Sequence, residues 1–458
     1  MTPVERHAEL IYAESLVEKA LLGIVYSGDW LHFIKEALNM RSAMSTYQHM
    51  YDFMLDADAN AEGGHDESLD VHWRSGILLG TGVTNLVLSL LPGRVISIAE
   101  MFGYKGDRKT GLDLLMQAGG WTKGSFEPSV STVEEGVRRS LCDMSLLIFH
   151  LVLSSFTFTG VDLDMAETIL NWNLKRYPTG ASRPPYLFII SNTRTPSPTL
   201  PLSGVFWLYG QGRLLLYKAR PEESIAAYRR AIESQSQYVS LHHICIWEIA
   251  IANLSLVQIA ESLECWRSLV ADATWSKAVY TYGAAACLVE LVQYGSPAST
   301  ASSSHSAHSS ATSTPKRQAS RKTLDQEQEE RNKEAKEIMA TVPGLMQRIA
   351  GKSIPMEKFA ARKAQKYAAQ GGRLLLPAFE LGYVWLMYAR APREVLINGM
   401  LPRIEATVQE LKRCWGKEGE YMREYKKRGA KSNGFWDDWA LAHFLKGVCL
   451  RFVAFPVS

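Results

Sequence analysis

The sequence is poor in the features that mark disulfide-bonded, metal-binding or nucleic-acid-binding proteins. Only six of its 458 residues are cysteine, and none of them forms a CxxC pair. We therefore expect reduced, buried thiols. The 50 basic and 47 acidic residues leave a formal charge of +3, which creates no overall field to attract nucleic acid or an acidic membrane. Partners must be recognised through local patches, and no nucleic acid is expected among them.

Long apolar runs are also missing. Residues 76–91 form an uncharged stretch that ends at Pro92 and is shorter than the ~20 residues that a bilayer span requires. Residues 144–161 form a second uncharged stretch, which contains His150 and several serines and threonines. Both stretches favour buried helices, with a membrane span as the alternative. The N-terminus lacks the apolar core of a secretory signal, and no such signal is expected.

Each sequence motif that resembles a catalytic motif lacks a required residue. Residues 80–82 (GTG) lack the lysine of a phosphate-binding loop, and no Gly-x-Ser-x-Gly motif is present. Asp437 and Asp438 lack the third acid, one turn later, that the aspartate-rich magnesium sites of all-helical prenyl-diphosphate enzymes need. No catalytic residue is therefore assigned, and an enzyme is not expected.

Two segments resemble metal sites, and each lacks a required feature. Residues 56–67 place oxygen atoms at four positions of a calcium loop, but Ala61 stands where a glycine must turn the chain. His242, His243 and Cys245 lie close together, yet zinc normally takes four ligands and no second paired cluster lies nearby. A solvated acidic loop and a packed helical position are the favoured interpretations, so we expect no metal ion and no cofactor.

The most informative pattern that is present is a degenerate helix-turn-helix repeat over residues 205–238. Small residues are expected where its two helices cross closely, and larger ones in the groove between them. The same offsets recur 37 residues later, and a period of about 34 to 40 residues is typical of stacked helical pairs. The predicted packing residues are Gly212, Leu215, Tyr228 and Ala231 in the first copy, and Ile249, Ala252, Cys265 and Ser268 in the second. The alternative is an irregular helical bundle with coincidental spacing.

The apolar periodicity predicts helices over most of the chain. It predicts helices over residues 4–26 and 30–55, then a polar loop over residues 56–68. Further on it predicts helices over residues 132–158 and 162–177, the second starting after a Gly-Val-Asp turn.

These patterns predict an all-α fold of tetratricopeptide-like helical hairpins that form a solenoid. Residues 295–323 interrupt it, because ten serines lie between Ser296 and Ser320 and large apolar residues are missing. We expect this insert to be disordered and to loop out of the turn between two helices. The predicted regions are an N-terminal helical hairpin region (1–191), a Pro-rich loop (192–204), tetratricopeptide-like repeats (205–294), the Ser-rich insert (295–323) and a C-terminal helical region (324–458).

Four hydroxyl groups in the Pro-rich loop and the Ser-rich insert are candidate phosphorylation sites. Thr195, Ser197 and Thr314 each precede a proline, and Ser320 follows the basic context that begins at Arg317. Phosphorylation would add charge to these segments. The alternative to regulated phosphorylation is that both segments act only as spacers.

Several stretches resemble one family, the fungal inclusion-body-clearance proteins, also described as mitochondrial outer-membrane proteins, and the related animal tetratricopeptide repeat protein thirty-nine group. The resemblance extends along almost the whole chain and includes no catalytic motif. The carrying stretches are residues 86–92 (LVLSLLP), 102–108 (FGYKGDR), 170–178 (LNWNLKRYP), 241–248 (LHHICIWE), 275–278 (WSKA) and 351–355 (GKSIP).

This resemblance implies a non-enzymatic scaffold in the cytoplasm, also present in the nucleus, that binds lipid-droplet-associated proteins and helps to clear inclusion bodies after folding stress. Contact with a membrane would then be indirect. The alternative is a protein attached to the mitochondrial outer membrane, peripherally or integrally. Family members usually carry further helical repeats before the position of His7 and after that of Phe455, so the resemblance implies a truncated chain.

Replacing Gly212 with leucine tests the proposed repeat register. We expect a loss of about 1 to 3 kcal/mol in the free energy of unfolding, because a bulky side chain would force two closely crossing helices apart. Chemical denaturation measures this loss, and an unchanged midpoint would contradict the register.

Overall fold

Helices account for most of the described chain in the computed structural model. The structure describes residues 2–26, 30–90, 105–153, 159–177, 202–294, 315–349, 352–415 and 434–455. The expected all-α fold of tetratricopeptide-like helical hairpins is confirmed. Two units emerge: unit 1 comprises Met1–Leu214 with Ile349–Lys352, and unit 2 comprises Leu215–Arg348 with Ser353–Ser458.

The described residues of unit 1 include six complete helices and most of a seventh. They are α1 (Pro3–Tyr26), α2 (Trp30–Asn60), α3 (Val71–Leu90), α4 (Arg108–Gly119), α5 (Arg139–Ile148), α6 (Leu163–Arg176) and α7 (Leu202–Tyr217). A π-helical turn, Phe149–Leu153, continues α5.

Unit 2 contains the end of α7 and eleven further helices among the described residues. They are α8 (Pro221–Glu233), α9 (Val239–Ser255), α10 (Ile259–Asp272), α11 (Lys277–Tyr294), α12 (Pro315–Thr341), α13 (Pro355–Ala369), α14 (Pro377–Val384), α15 (Met387–Arg390), α16 (Arg393–Val395), α17 (Leu401–Trp415) and α18 (Gly434–Ala454). A 3-10 turn, Val342–Leu345, follows α12, and a π-helical turn, Leu396–Met400, precedes α17. Two paired two-residue strands, Arg348–Ile349 and Lys352–Ser353, lie before α13.

In unit 1, α1 packs along α2 and α3 packs along α4. The second pair crosses closely because glycines face each other: a side chain on Gly82 would lie 3.1 Å from the carbonyl oxygen of Gly111, and one on Gly111 would lie 2.8 Å from that of Gly82. Residues 80–82, which lack the lysine of a phosphate-binding loop, therefore form part of a helix crossing. The fully buried Trp73 anchors the start of α3, since its indole N–H donates to the carbonyl oxygen of Arg6 at 3.1 Å.

Two predicted boundaries in unit 1 are wrong. The loop expected from residue 56 begins only after Asn60, because α2 continues for another turn. Asp58 accepts hydrogen bonds from Arg74 at 2.8 and 2.6 Å, so this carboxylate of the calcium-like segment is held by an arginine.

The helix expected over residues 132–158 instead begins at Arg139. Gly136 lies so close to α3 that a side chain there would be 2.2 Å from the Ser75 hydroxyl oxygen and 2.4 Å from the Val71 carbonyl oxygen. Residues 132–138 are therefore irregular where they contact α3, and α5 starts after this contact, at Arg139.

In unit 2, the consecutive helices α8 to α11 pack each against the next. The crossing of α9 and α10 is close, because the buried Ser262 hydroxyl donates to the carbonyl oxygen of Ala250 at 3.0 Å. One turn further along α10, the fully buried Trp266 ring covers Gly283 of α11. Small side chains thus occur where helices approach, and a large ring fills the adjoining space.

The helix after the Ser-rich segment begins at Pro315, within the predicted insert. Residues 315–323 (PKRQASRKT) combine a proline at the first helical position with good helix formers, which explains the earlier start. Ser320 is therefore a residue of α12. Residues 295–314, with Thr314, and residues 178–201, with Thr195 and Ser197, lie outside the described residues.

Among the described helices, none combines the length and the apolar character needed to cross a membrane. The apolar stretch over residues 76–91 contributes to α3, which packs against α4. The stretch over residues 144–161 is divided between α5 and the π-helical turn, and residues 154–158 lie outside the description.

A pair of helical glycines tests how much the packing of α10 against α11 contributes to stability. In Gly283→Ala, the added methyl group would lie 2.6 Å from the Trp266 ring, so we expect a loss of about 1 to 3 kcal/mol. Gly447→Ala in α18 is the matched control, because nothing lies within 4 Å of its added methyl group. We expect the control to be neutral or to stabilise by about 0.5 to 1 kcal/mol through helix propensity. Urea denaturation compares the two, and equal midpoints would contradict this packing.

Candidate protein-binding site

The four residues of the first predicted repeat copy are placed on two successive helices. Gly212 is buried and Leu215 is half-buried on α7, whereas Tyr228 and Ala231 are fully buried on α8. The hydrophobic face of α8 recurs at helical spacing, and Pro221 at its first turn starts the helix. These residues lie in the helix packing, as opposed to a surface that a ligand could reach.

The second copy shows a different pattern of burial. Ile249 and Ala252 are buried on α9, but Cys265 and Ser268 are only half-buried on α10. Their neighbours Trp266 and Leu269 are fully buried, 38 residues after Tyr228 and Ala231. Burial in the two copies therefore matches best at an interval of 38 residues, one more than the predicted 37. The packing roles assigned to Cys265 and Ser268 stay predictions.

The residues considered for metal binding have other contacts. His242 forms a hydrogen bond of 2.7 Å with the carbonyl oxygen of Gln235, and burial raises the pKa of the Cys245 thiol to about 12. Asp438 is buried and accepts a hydrogen bond from Lys366 at 2.9 Å. Within the described ranges, no group of three or more His, Cys, Asp or Glu side chains is arranged to hold a metal ion.

A surface cleft in unit 1 runs along one face of α6. It consists of two adjoining cavities of about 500 and 410 Å³, which share Phe126, Glu167 and Thr168. One wall is α6, and the other is the segment over residues 122–132, here called the wall loop. Among the lining side chains, Phe126 is 88% exposed although it is large and apolar.

Hydrogen bonds to the end of α4 hold the wall loop in place. The Ser129 N–H and hydroxyl both donate to the carbonyl oxygen of Gly120, each at 3.0 Å. Gly120 ends α4 with a left-handed φ of 64°, and any side chain there would overlap Ser129. The loop is therefore a formed wall that does not depend on a ligand for its shape.

The floor of the cleft includes the half-buried Trp172 of α6. Two guanidinium groups contact its ring, with Arg139 at 4.0 Å and Arg176 at 5.2 Å from the ring centroid. The ring of Trp121 meets it edge-on at 5.8 Å. Cation–π and edge-to-face contacts of this kind fix the orientation of an aromatic side chain.

Beneath the floor lies a buried network centred on Arg139. Arg139 donates to Glu135 at 2.9 Å and lies 3.5 Å from Asp143. Asp143 also accepts hydrogen bonds from the Trp121 indole at 2.7 Å and from the Asn173 amide at 2.9 Å. Its complete burial raises its pKa, and the charge of Arg139 opposes that rise. Arg139 also donates to the carbonyl oxygen of Val130 in the wall loop at 3.4 Å, so the network connects the wall loop, α5 and α6.

The charges along the cleft change sign from one end to the other. Asp162, Asp164 and Glu167 lie at the N-terminal end of α6, where Lys123 of the wall loop, 3.8 Å from Asp162, offsets part of their charge. Lys175 and Arg176 lie at the C-terminal end, and Glu127 of the wall loop lines the same cavity. The arrangement offers a mainly acidic end, an aromatic middle and a mainly basic end, which suits binding.

Sequence reasoning found α6 but missed the cleft. The Gly-Val-Asp turn correctly indicates the start of α6, where the Asp162 carboxylate caps the helix by accepting from the Met165 N–H at 2.9 Å. The wall loop was missed because residues 122–131, which precede the helix predicted from residue 132, have no apolar periodicity to indicate an ordered structure. Gly120 and the serine-rich stretch after it were the available signal for an ordered turn.

The buried His150 contacts the start of α6 at Asp162, which lines the acidic end of the cleft. Its Nδ1 atom accepts a hydrogen bond from the Asp162 N–H at 3.1 Å, which requires that nitrogen to be unprotonated. Burial lowers the pKa of His150 to about 4, and the charge of Asp162 opposes this shift. Because the pKa is depressed in the folded state, the stabilisation is present above pH 6.5 and is lost as the pH falls towards 4.

We expect the wild-type protein to lose about 2 kcal/mol of stability through His150 between pH 7.5 and pH 5. His150→Asn keeps a polar acceptor without titrating in this range, so its denaturation midpoint should fall less over the same interval. His49→Asn, on an exposed position of α2, is the control and should follow the wild type. Parallel pH profiles for all three proteins would contradict the role of His150.

Comparisons with known proteins agree with this helical architecture. The sequence profile of the family Iml2/Tetratricopeptide repeat protein 39 matches residues 1–184 and 201–453. The chain is also similar to the Tetratricopeptide repeat protein ttc-39B of Caenorhabditis elegans, with 28% identity over 452 residues that cover 98% of this chain. It spans 63% of the length of that relative. No solved structure matches the chain.

The family profile covers both the helices of unit 1 that form the cleft and the hairpins of unit 2, and it leaves out only residues 185–200 and the last five residues. The chain therefore belongs to the Iml2/Tetratricopeptide repeat protein 39 family.

Proposed function

We propose that this protein is a non-enzymatic scaffold that binds other proteins. The observation that carries the proposal is its membership of a tetratricopeptide repeat family along most of its length. Such repeats are used for protein–protein interaction, because stacked helical hairpins present extended surfaces to a partner.

The use of the buried charged groups supports binding over catalysis. In unit 2, the fully buried Glu290 accepts from the Arg403 guanidinium at 2.8 Å and from the Ala378 N–H at 3.4 Å. In unit 1, Arg139 and Asp143 are paired in the network under the cleft. Burial raises the pKa of Glu290, but its partners come from neighbouring helices, which it holds together. These shifted groups are explained by packing, so they need no reaction to account for them.

We further propose that the scaffold acts in the clearance of inclusion bodies after folding stress, together with lipid-droplet-associated proteins. The protein would be cytoplasmic and also nuclear, and its contact with membranes would be indirect. This part of the proposal is supported by the family resemblance of the sequence. Because the chain spans 63% of its relative, the partners of a longer protein are part of the proposal too.

Live imaging of a fluorescent fusion tests this function. We expect the fusion to gather at inclusions beside lipid droplets after folding stress, and we expect a deletion strain to clear an aggregating reporter more slowly. A neutral-lipid dye and the reporter are imaged before and after stress in both strains.

The contrary outcome is a fusion that stays on mitochondria while clearance is unchanged. That result would reject the clearance function and favour attachment to the mitochondrial outer membrane. Alkaline carbonate extraction would then distinguish peripheral from integral attachment, because an integral protein stays in the membrane pellet.

A further inference from the structure

We propose that the cleft between the wall loop and α6 binds an extended peptide segment of a partner protein, with a basic residue at one end, an apolar or aromatic residue in the middle and an acidic residue at the other end. This inference rests on the proposed scaffold function and adds to it a site and a chemical class of partner.

The length of the cleft determines how long the bound segment would be. Its lining residues on α6 extend from Asp164 to Arg176, which corresponds to about 18 Å along the helix axis at 1.5 Å per residue. An extended peptide advances about 3.3 Å per residue, so roughly five to six residues fill this length. A bound helix of the same length would need about twelve residues and a groove that admits its diameter of about 10 Å.

The middle of the cleft suits an apolar side chain. The half-buried Trp172 forms part of the floor, and Phe126 projects from the wall loop with 88% of its surface exposed. A side chain placed between these two rings would cover aromatic surface that is otherwise in contact with water. The hydrogen bonds between Ser129 and Gly120 hold the wall before binding, so little ordering of the protein opposes association.

The charges at the two ends give the bound segment a direction. At the N-terminal end of α6, the exposed Asp164 attracts a basic side chain. Lys123 of the wall loop lies 3.8 Å from Asp162, and Asp164 and Glu167 keep the net charge of this end negative. At the other end, the exposed Lys175 attracts an acidic one. Arg176 contributes less, because it is already paired with Glu135 at 2.7 Å. Complementary charges at both ends select the order of charges in the partner as well as their number.

The same charges disfavour an anionic membrane surface. The acidic residues at one end, with Glu127 on the wall loop, would repel lipid phosphates, whereas lipid-binding surfaces carry clusters of basic residues. A peptide with both signs of charge complements both ends of the cleft, whereas a phosphate group complements only the end near Lys175.

The test uses the full chain and fluorescein-labelled seven-residue peptides in a fluorescence anisotropy titration. The probe is Lys-Lys-Ala-Phe-Ala-Glu-Glu, and the control is Lys-Glu-Ala-Phe-Ala-Lys-Glu, which has the same composition with the charges mixed. We expect the probe to bind at least tenfold more tightly than the control. Equal affinity of the two peptides, or no binding of the probe, would overturn the proposal.

Variants then locate the binding. The double variant Asp164→Lys, Glu167→Lys should weaken binding of the probe at least tenfold and should gain binding of Glu-Glu-Ala-Phe-Ala-Glu-Glu. Phe126→Ala should weaken the probe several-fold, and circular dichroism checks that each variant is folded. Glu18→Lys, an exposed charge reversal on α1, is the matched control and should leave binding unchanged. If Glu18→Lys weakens the probe as much as the double variant does, the cleft is not the site.

A second arm separates a peptide from a membrane. Vesicles of phosphatidylcholine with phosphatidylserine are sedimented with the wild-type protein and with Phe126→Ala. We expect no difference in the bound fraction between the two. Vesicle binding that is lost in Phe126→Ala would assign the cleft to lipid and overturn the peptide proposal, while the scaffold function would still be judged by the imaging experiment.

Discussion

Each helical hairpin in this chain has apolar surface that only another helix can bury, and the rest of the structure follows from that constraint. In unit 2, α10 buries Trp266 against α11, and the close crossing of α9 with α10 depends on the small side chain of Ser262. A single hairpin would leave these surfaces in water, where they would destabilise it. Stability therefore comes from the contacts between stacked hairpins. The residues that mark the repeat in the sequence, such as Tyr228 and Ala231, are buried in those contacts.

Unit 1 adds a second kind of constraint, which is electrostatic. Placing Arg139 in the interior is unfavourable unless its charge is balanced, and Glu135 and Asp143 provide that balance from the same segment of chain. The hydrogen bonds from Trp121 and Asn173 complete the network. Such a network specifies geometry more strictly than apolar contacts do, because hydrogen bonds are directional. It sets the position of the cleft floor relative to its wall.

The two constraints are consistent with the proposed scaffold and leave a preformed cleft in unit 1. The family relationship places the chain among tetratricopeptide repeat proteins, and the described cleft shows where unit 1 combines aromatic surface with opposite charges. Recognition at such a site would depend on the order of charges in a partner segment. His150 couples the acidic end of the cleft to protonation, because its neutral ring supports the first turn of α6.

The sequence by itself determined the helical class, the start of α6 at Asp162 and the approximate interval between the hairpins, because these depend on local propensity, capping and apolar spacing. It predicted the second repeat copy at 37 residues, whereas burial matches best at 38, since a one-residue difference in a degenerate pattern becomes visible only when Trp266 and Leu269 are seen to be buried. Only the tertiary structure decided that residues 132–138 are irregular, because Gly136 must pass close to α3, which is distant in sequence. The cleft likewise arises where the wall loop, α5 and α6 pack around Arg139. Local sequence patterns do not predict this packing, because the segments are separated in the sequence.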